Sequence, residues 1–295
     1  MSEKLKNKQN TISILLPTRG RVKRLKVFLD SLHSNTKFPG RVEIVLGIDS
    51  DDSETIGFEY KKFKIIKTID ERCGMGALNT RCLNHSSGRI ILLANDDIKV
   101  ETSFWDQKAD ELHSKYKDQI YLGYFNDGHK GEKLSTFPIL SRSTLNLMVN
   151  PFPNNYKGAL IDLDIFEIFQ RLQGIGVNRI QYFPNVLFEH LHMLKFPDFA
   201  DKTYRNRTRF GDDQAFYQNT HYRKEKAERL HNFILNKPYT GPTHKTTKDT
   251  TFLKFLLQTA IYSKLPIIFK LKHLTKMSAR FIFSKTCITS RNLPT

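Results

Sequence analysis

Two adjacent carboxylates follow an apolar run about a third of the way along the chain. The run Arg89–Ala94 has the composition of a buried strand, and it ends in Asn95, Asp96 and Asp97. Neighbouring carboxylates at a strand end repel each other and lose hydration, and a divalent cation relieves both costs. Such oxygen ligands suit Mg²⁺ or Mn²⁺ bound together with substrate phosphates. A turn with helix-capping aspartates is the alternative.

Two histidines could add a nitrogen ligand to that site. His190 and His192 follow another predicted strand, and residues two apart in a strand point to the same face. One imidazole could therefore complete a metal site with Asp97. A zinc site made by the pair alone lacks an evident third ligand. A hydrogen-bonded or solvated pair of surface histidines is the simpler alternative.

A second group of carboxylates opens a predicted helix, Ile161–Gly174, whose apolar residues recur at helical spacing. Asp162 or Asp164 could act there as a general base on an acceptor hydroxyl. The helix dipole alone also favours acidic residues in a first turn and keeps them ionised, so the two interpretations are compatible. Asp212 and Asp213 form a second pair of the same kind.

Basic residues follow the first predicted strand, Thr11–Leu16. The cluster Arg19–Arg24, with the glycine loop 74–76 and Arg81 further along, would suit a diphosphate. A solvated basic loop is the alternative. The chain has neither a GxxxxGK[ST] nor a GxGxxG pattern, which disfavours a P-loop NTPase and a dinucleotide-binding dehydrogenase.

Apolar strands that alternate with helices must position these residues. This alternation predicts an α/β fold with a parallel sheet covered on both faces. Ligands bind beyond the carboxyl ends of the strands in such sheets. We therefore expect Pro17–Arg19, Asp49–Asp52 and Asn95–Asp97 to lie on one rim.

The composition of the chain restricts the classes of molecule that it could bind. The chain has 295 residues, a formal net charge of +17 and 39% hydrophobic residues, which exclude a disordered chain and predict acidic partners. Nucleic acid, an anionic membrane surface and phosphorylated small molecules all fit the charge. Three cysteines without a CxxC pair favour a reducing, cytoplasmic setting, and the polar first residues predict no secretory leader.

Four blocks in this order resemble a family 2 type glycosyltransferase of the GT-A fold. Together they span about Thr11–His192, and they are Ile12–Arg21, Glu43–Asp52, Ala77–Asp97 and Asp162–His190. The resemblance implies a Rossmann-like, mainly parallel sheet flanked by helices. It also implies an inverting, hexosyltransferase-like enzyme of polysaccharide biosynthesis. Such an enzyme moves a sugar from a UDP- or GDP-linked donor to a hydroxyl of a glycan or lipid-linked acceptor.

The resemblance also implies roles for single residues, with Mn²⁺ or Mg²⁺ as cofactor. Asp97 would be the metal ligand of a DXD-like motif, with His190 or His192 as a second ligand, and Asp162 would be the base. The residues implied to hold the nucleotide are Pro17, Thr18, Arg19 and Asp49 at the base, and Asn79, Arg81 and Asp96 near the ribose and diphosphate. Apart from the resemblance, we expect Phe137 and Arg142 to line the acceptor region.

The chain departs from the family pattern in two places. Asn95 stands where the motif has its first Asp, and Ile161 stands where a Glu usually precedes the base. Asp164 and Asp213 therefore remain alternatives for the base. A sugar-nucleotidyltransferase of related fold is a second candidate function, although the residues after Pro17 match its glycine-rich signature poorly. A non-catalytic protein that binds nucleic acid or membrane is a third, but no nucleic-acid-binding signature occurs and we expect no nucleic-acid partner.

The last part of the chain differs in composition. We expect a catalytic domain over residues 1–236, a linker over 237–250 and a basic amphipathic helical tail over 251–295. Eight basic and no acidic residues follow Asp249. The tail could lie on an anionic leaflet and make the protein peripheral to the cytoplasmic face of a membrane. Alternatively, it could form a helical pair packed on the catalytic domain with its lysines in solvent.

Overall fold

A computed structural model describes residues 11–191, 212–243, 251–262 and 265–286. The strands are β1 Ile12–Pro17, β2 Val42–Asp49, β3 Lys64–Asp70, β4 Ile90–Leu93, β5 Ile98–Val100, β6 Leu122–Asn126, β7 Ile139–Ser141 and β8 Ile180–His190. The α-helices are α1 Val22–Asn35, α2 Ser53–Gly57, α3 Met75–His85, α4 Trp105–Lys115, α5 Arg142–Leu147, α6 Ile161–Gln173, α7 Asp213–Gln218, α8 Thr220–Ile234, α9 Phe252–Leu257 and α10 Ile267–Thr286.

The described strands form one mixed sheet in the order β3-β2-β1-β4-β7-β6-β8-β5. Four of its seven pairings are parallel and three are antiparallel. Six strands point the same way, and only β5 and β7 run against them. The predicted α/β class with helices around the sheet is confirmed, and the arrangement is consistent with the GT-A fold.

Apolar packing on both faces of the sheet explains why β1 and β2 are mostly hydrophobic. Ile14 and Leu16 face one core cluster, which includes Phe28 of α1 and Trp105 of α4. Leu15 faces the other cluster, which includes residues of α3, α6 and α8. Every residue of β1 and β2 is buried. Because successive strand residues point to opposite faces, a sheet covered twice needs this pattern.

Glu43 is a buried carboxylate near the beginning of β2, at the end of the sheet opposite to the carboxyl ends of β1 and β2. It accepts hydrogen bonds from the Ser13 hydroxyl at 2.6 Å, the Ser87 amide at 2.6 Å and the Lys64 ammonium at 2.9 Å. Burial by itself raises the pKa of Glu43, but these donors outweigh it and lower the pKa to about 2. Ionised Glu43 therefore stabilises the folded chain.

This carboxylate predicts an acid-sensitive stability. The pKa of Glu43 is lower in the folded chain than in the unfolded chain. The contribution of Glu43 to the free energy of unfolding is therefore present above about pH 4.5 and is lost as the pH falls toward 2. We expect the wild type to lose about 3 kcal/mol of unfolding free energy over this range through Glu43, and Glu43→Gln to remove this part of the slope. Urea unfolding at several pH values measures it. The exposed Glu59→Gln is the control, and an unchanged slope in Glu43→Gln would refute the assignment.

The described C-terminal helices α9 and α10 pack on the sheet-bearing part of the chain. Phe255 and Met277 are buried in the same cluster as α6 and α8. Residues 237–243, the described part of the predicted linker, form no helix or strand. Among the described residues, no helix combines the length and apolarity that crossing a bilayer would require.

Candidate functional site

Polar side chains collect where the six co-directional strands end. Because β1, β2, β3, β4, β6 and β8 point the same way, their carboxyl ends form one rim. The residues at this rim are Pro17 and Thr18 after β1, Asp49 at the end of β2, Asp70 at the end of β3, Asn95–Asp97 after β4, Asp127 after β6 and His190 at the end of β8. The rim expected from the sequence is thus formed, and β6 and β8 extend it.

Asp96 is held at the centre of this rim by residues from the first loop. Its Oδ2 accepts a hydrogen bond from the Thr18 hydroxyl at 2.8 Å, and its Oδ1 accepts one from the Arg21 guanidinium at 2.9 Å. Asp96 is 3% exposed. Burial raises the pKa of Asp96 to about 6; the Arg21 charge opposes this rise and Asp97 adds to it. Further positive charge would reduce the repulsion between these two buried carboxylates.

Asp97 lies against His190, 93 positions away in the sequence. Asp97 Oδ2 is 3.5 Å from His190 Nε2, and both side chains are largely buried. The contact arises because β5 begins directly after Asp97 and pairs antiparallel with β8, with Ile98 opposite His190. The Leu191 amide also donates to the Asp97 carbonyl at 2.8 Å, which fixes the backbone of this corner.

This pair fits a divalent cation. Ligand atoms at about 2.1 Å from a metal lie about 3.0–3.4 Å apart at ordinary coordination angles, close to the separation of Asp97 Oδ2 and His190 Nε2. The part of the chain that the structure describes holds no group of three or more His, Cys, Asp or Glu suited to a metal. Asp97 and His190 can thus supply two ligands, and His192 lies outside the described residues. A cation with so few protein ligands must take others from water or substrate.

The loop after β1 is tied to the loop after β2. Arg19 donates to Asp49 at 2.9 Å and to Asp51 at 2.7 Å. The Gly20 amide donates to the Asp52 side chain at 2.7 Å, and Gly20 has a positive φ of 60° that suits a residue without a side chain. These contacts bring Pro17–Arg19 and Asp49 together, as predicted.

The buried polar atoms without a hydrogen-bond partner include one at the end of β2 and one in α3. These two are Asp49 Oδ1 and Asn79 Oδ1, and both residues are 4% exposed. Arg81 of the same helix donates to the Ile48 carbonyl at 2.8 Å, which places the Arg81 side chain beside the end of β2. Buried polar atoms without partners are costly, so they are candidates to meet a polar ligand here.

Two amides of the glycine loop before α3 are bonded to carbonyl groups within the protein. The Met75 amide donates to the Lys157 carbonyl at 3.1 Å, and the Gly76 amide donates to the Tyr156 carbonyl at 3.0 Å. A Cβ on Gly76 would lie 2.0 Å from the Pro153 carbonyl oxygen, so glycine is required for this close approach. These two amides are therefore not free to join the diphosphate cradle that the sequence suggested at 74–76.

Asp162 is a half-buried carboxylate in the first turn of α6. Its Oδ1 accepts a hydrogen bond from the Leu163 amide at 2.8 Å, and its carbonyl accepts one at 3.5 Å from Ser135. Ser135 belongs to the loop that leaves β6 at the rim. The helix N-terminus favours the ionised carboxylate, as a general base requires.

Asp164 has a different environment, although it is only two residues further on. It is 1% exposed and accepts hydrogen bonds from the Tyr156 hydroxyl at 2.7 Å and from Arg223 of α8 at 3.0 Å. Arg223 is fully buried and also pairs with Glu167 at 3.0 Å. Lys226 lies 3.8 Å from the other Asp164 oxygen. Through these contacts, Asp164 helps to hold α6 against α8.

The second carboxylate pair, Asp212 and Asp213, is also engaged. Asp212 accepts hydrogen bonds from three consecutive backbone amides of residues 157–159, at 2.7, 2.9 and 2.5 Å. Asp213 pairs with Arg280 of α10 at 2.6 Å. Burial raises the pKa of Asp213, and Arg280 opposes the rise. Asp212 thus shapes the loop that precedes α6, and Asp213 ties α7 to the C-terminal helix.

Arg142 is not brought to the rim. Arg142 follows β7, which runs antiparallel to β4. It therefore lies where β4 begins, at the end of the sheet opposite to the rim. There it donates to the Gly88 carbonyl and the Ser86 hydroxyl, both at 2.7 Å. Phe137 precedes β7 and does lie at the rim, where its ring packs edge-on against His190 with centroids 5.3 Å apart.

Asp127 is a rim residue that the sequence analysis did not single out. Its Oδ1 accepts hydrogen bonds from the amides of residues 129–131 at 2.7–2.9 Å, and its Oδ2 accepts one from Thr136 at 2.7 Å. Its carbonyl accepts a hydrogen bond from the His190 amide at 3.0 Å. The Asn-Asp-Gly turn signal at 126–128 could have indicated this role in shaping the loop beside His190.

Comparisons with known proteins give distant likenesses only. No family model and no curated protein sequence matches the chain. Among solved structures, S. aureus TarS matches with a TM-score of 0.47 and 12% identity over 76% of this chain, which spans about half (53%) of the TarS chain. Mannosyltransferase PcManGT from Pyrobaculum calidifontis, in complex with GDP-Man and Mn²⁺, matches with a TM-score of 0.48 and 11% identity. The match covers 95% of this chain and 76% of that one.

A third similar structure is glucosyl-3-phosphoglycerate synthase from Mycobacterium tuberculosis, in complex with Mn²⁺, UDP and phosphoglyceric acid. It has a TM-score of 0.45 and 16% identity, covering 80% of this chain and 82% of that one. With TM-scores below 0.5, these likenesses carry no argument about what this chain does. Its function must be inferred from its own residues.

Proposed function

We propose that the chain is a metal-assisted, inverting glycosyltransferase that takes a sugar from a UDP- or GDP-linked donor. One observation carries the proposal above all: Asp97 and His190 meet at 3.5 Å beside Asp96, at the rim where parallel strands end. A buried acidic pair with one adjacent imidazole suits a cation that also binds a diphosphate. The residue pattern of the GT-A family agrees with this arrangement.

The loops after β1 and β2 would bind the nucleotide. Asp49 Oδ1 and Asn79 Oδ1 are buried acceptors without partners, so they can receive N–H or O–H groups of a base or ribose. Arg19 holds Asp49 in place. Arg21 and Thr18 orient Asp96, and the nearby guanidinium charge favours a bound diphosphate.

Mn²⁺ or Mg²⁺ would be held by Asp97 and His190. When bound there, the cation would neutralise charge on the departing nucleoside diphosphate. Phe137 packs against the imidazole of His190, and the Asp127 carbonyl fixes the His190 backbone, so both would keep this ligand in position. His192 remains a candidate further ligand.

Asp162 would accept the proton of the attacking hydroxyl. Its carboxylate lies at a helix N-terminus, which keeps it ionised, and it is only half-buried, so an acceptor can reach it. The hydroxyl oxygen would form a bond to the anomeric carbon as the bond to the diphosphate oxygen breaks, which inverts the configuration. Asp164 and Asp213 are the alternative bases; both are buried, and each forms an ion pair with an arginine.

We further propose that the protein acts at the cytoplasmic face of a membrane as a peripheral protein. The described C-terminal helices carry exposed apolar side chains together with lysines. A lipid-linked glycan or other lipid-linked acceptor would be met at such a surface.

Donor hydrolysis tests the proposed activity. Several UDP- and GDP-linked sugars are incubated with the protein in Mn²⁺ or in EDTA, and the released nucleoside diphosphate is measured. We expect at least one donor to be hydrolysed, at least about tenfold faster with Mn²⁺. Turnover that ignores Mn²⁺, or no turnover of any donor, would contradict the proposal. Release of pyrophosphate from a nucleoside triphosphate and a sugar 1-phosphate would instead identify a sugar-nucleotidyltransferase.

A further inference from the structure

The C-terminal helices α9 and α10 have an inner face that belongs to the core. Phe255 of α9 packs on Tyr217 with ring centroids 4.8 Å apart. His273 of α10 stacks on Phe216, and Phe269 packs edge-on against Phe166 of α6. These contacts attach both helices to α6 and α7.

The outer face of the same helices is also apolar. Of the fourteen exposed large hydrophobic residues in the described chain, seven lie between residues 253 and 282. They are Leu253 and Leu257 of α9, Ile261 between the two helices, and Ile267, Ile268, Leu271 and Ile282 of α10, with exposures of 49–78%. In α10, the apolar residues 267, 268, 271 and 282 project to the side opposite the buried residues 273 and 277, because a helix turns 100° per residue. Such a concentration of exposed apolar residues marks an interaction surface.

Positive charge flanks this outer face. The described part of α9 and α10 carries Lys254, Lys270 and Lys272 beside this face, whereas Arg280 pairs with Asp213 and Lys276 lies near Asp162 on the inner side. No acidic residue occurs after Asp249. An exposed apolar stripe with lysines at its sides fits the boundary between the head groups and acyl chains of anionic lipids. A second copy of the chain fits less well, since dimerisation would bring two sets of like charges together.

We propose that the outer face of α9 and α10 is a docking surface for an anionic lipid leaflet. This inference deepens the proposed function, on which it rests for the identity of the acceptor. Arg280 of α10 bonds Asp213, and α10 packs on α6, which carries Asp162 in its first turn. A leaflet bound to the outer face of α10 would therefore hold Asp162 at a fixed position relative to the lipid surface. An acceptor anchored in that leaflet would be presented to the base.

Vesicle flotation of the full chain tests the docking surface. The probes are phosphatidylcholine vesicles with and without about 30% phosphatidylglycerol, which supplies the negative surface. We expect the wild type to float with the anionic vesicles. The triple variant Ile267→Ser, Ile268→Ser, Leu271→Ser should bind them at least about 50-fold more weakly, because it removes three exposed apolar side chains. A matched control replaces three exposed apolar residues elsewhere: Val27→Ser, Phe233→Ser and Leu235→Ser.

A second variant tests the charges. Lys254→Gln with Lys272→Gln should weaken binding to anionic vesicles about 25-fold, which is about fivefold for each lysine near the surface. The inference is overturned if the wild type does not float, if the serine triple variant binds as the wild type does, or if the triple variant abolishes a dimer instead. Mn²⁺-dependent binding of UDP or GDP, measured without vesicles, tests the proposed activity separately from the docking surface. The nucleotide can bind when flotation fails, and the protein can float when the nucleotide does not bind.

Discussion

Replacing Asp97 by Asn is expected to lower the rate of metal-dependent glycosyl transfer at least about a thousandfold. A neutral amide would replace the carboxylate that lies 3.5 Å from His190, and a hard divalent cation would lose its anionic protein ligand. Charge stabilisation by a bound metal is worth several kcal/mol, which corresponds to a thousandfold or more in rate. Steady-state kinetics with saturating Mn²⁺ measures the effect.

The same variant should fold normally without metal. Asn has nearly the shape of Asp, and the substitution removes a charge that repels the buried Asp96. We therefore expect the free energy of unfolding in EDTA to stay equal or to rise. Asp30→Asn, which changes the same charge at a surface helix, is the control and should keep full activity. Activity within threefold of the wild type in Asp97→Asn would refute the metal assignment.

Replacing Asp162 by Asn is expected to lower kcat about 10²- to 10⁴-fold, because general-base catalysis contributes about that much. Since Asp162 would act only on the acceptor, the dissociation constant of the nucleotide in Mn²⁺ should not change. Isothermal titration and single-turnover kinetics separate these two quantities.

Asp164→Asn is the matched comparison two residues away. It removes one charge from the buried group that includes Arg223 and Lys226, so its main effect should be a loss of stability. The assignment of the base would be contradicted if Asp162→Asn kept its kcat while Asp213→Asn lost it. In that case Asp213, released from Arg280 during turnover, would be the base.

Local patterns were enough to predict the first half of the fold. Strands β1, β2 and β4 are largely apolar, as expected of strands buried on both faces. β1 ends at Pro17, β2 ends at Asp49, and Asn95–Asp97 follow shortly after β4. The helix α6 was predicted from its apolar spacing. By contrast, β5 has three residues with a lysine in the middle, so it lacks a recognisable pattern.

The sequence did not predict the directions and partners of strands that pair with distant parts of the chain. Arg142 was expected near the substrate, but β7 runs against β4 and carries it to the opposite edge. The pairing of β5 with β8 is equally non-local, and it brings Asp97 beside His190. Residue types suggested that these two could share a metal, whereas only the fold gives their separation.

The fate of similar carboxylates depended on distant partners. Asp162 and Asp164 look alike in the sequence, yet Arg223, 59 residues beyond Asp164, takes one of them into a buried ion pair. The tail gave a comparable result. Packing on the domain and lying on a membrane were alternatives in the sequence, but the helices have one buried face and one exposed apolar face, so the two are compatible.

Isothermal titration of UDP and of GDP into the protein, in Mn²⁺ and in EDTA, tests the central claim most directly. The account predicts that at least one nucleoside diphosphate binds at least about tenfold more tightly with Mn²⁺, and that Asp97→Asn removes this difference while Asp30→Asn keeps it. Equal affinity in Mn²⁺ and EDTA, or no binding of either nucleotide, would contradict it.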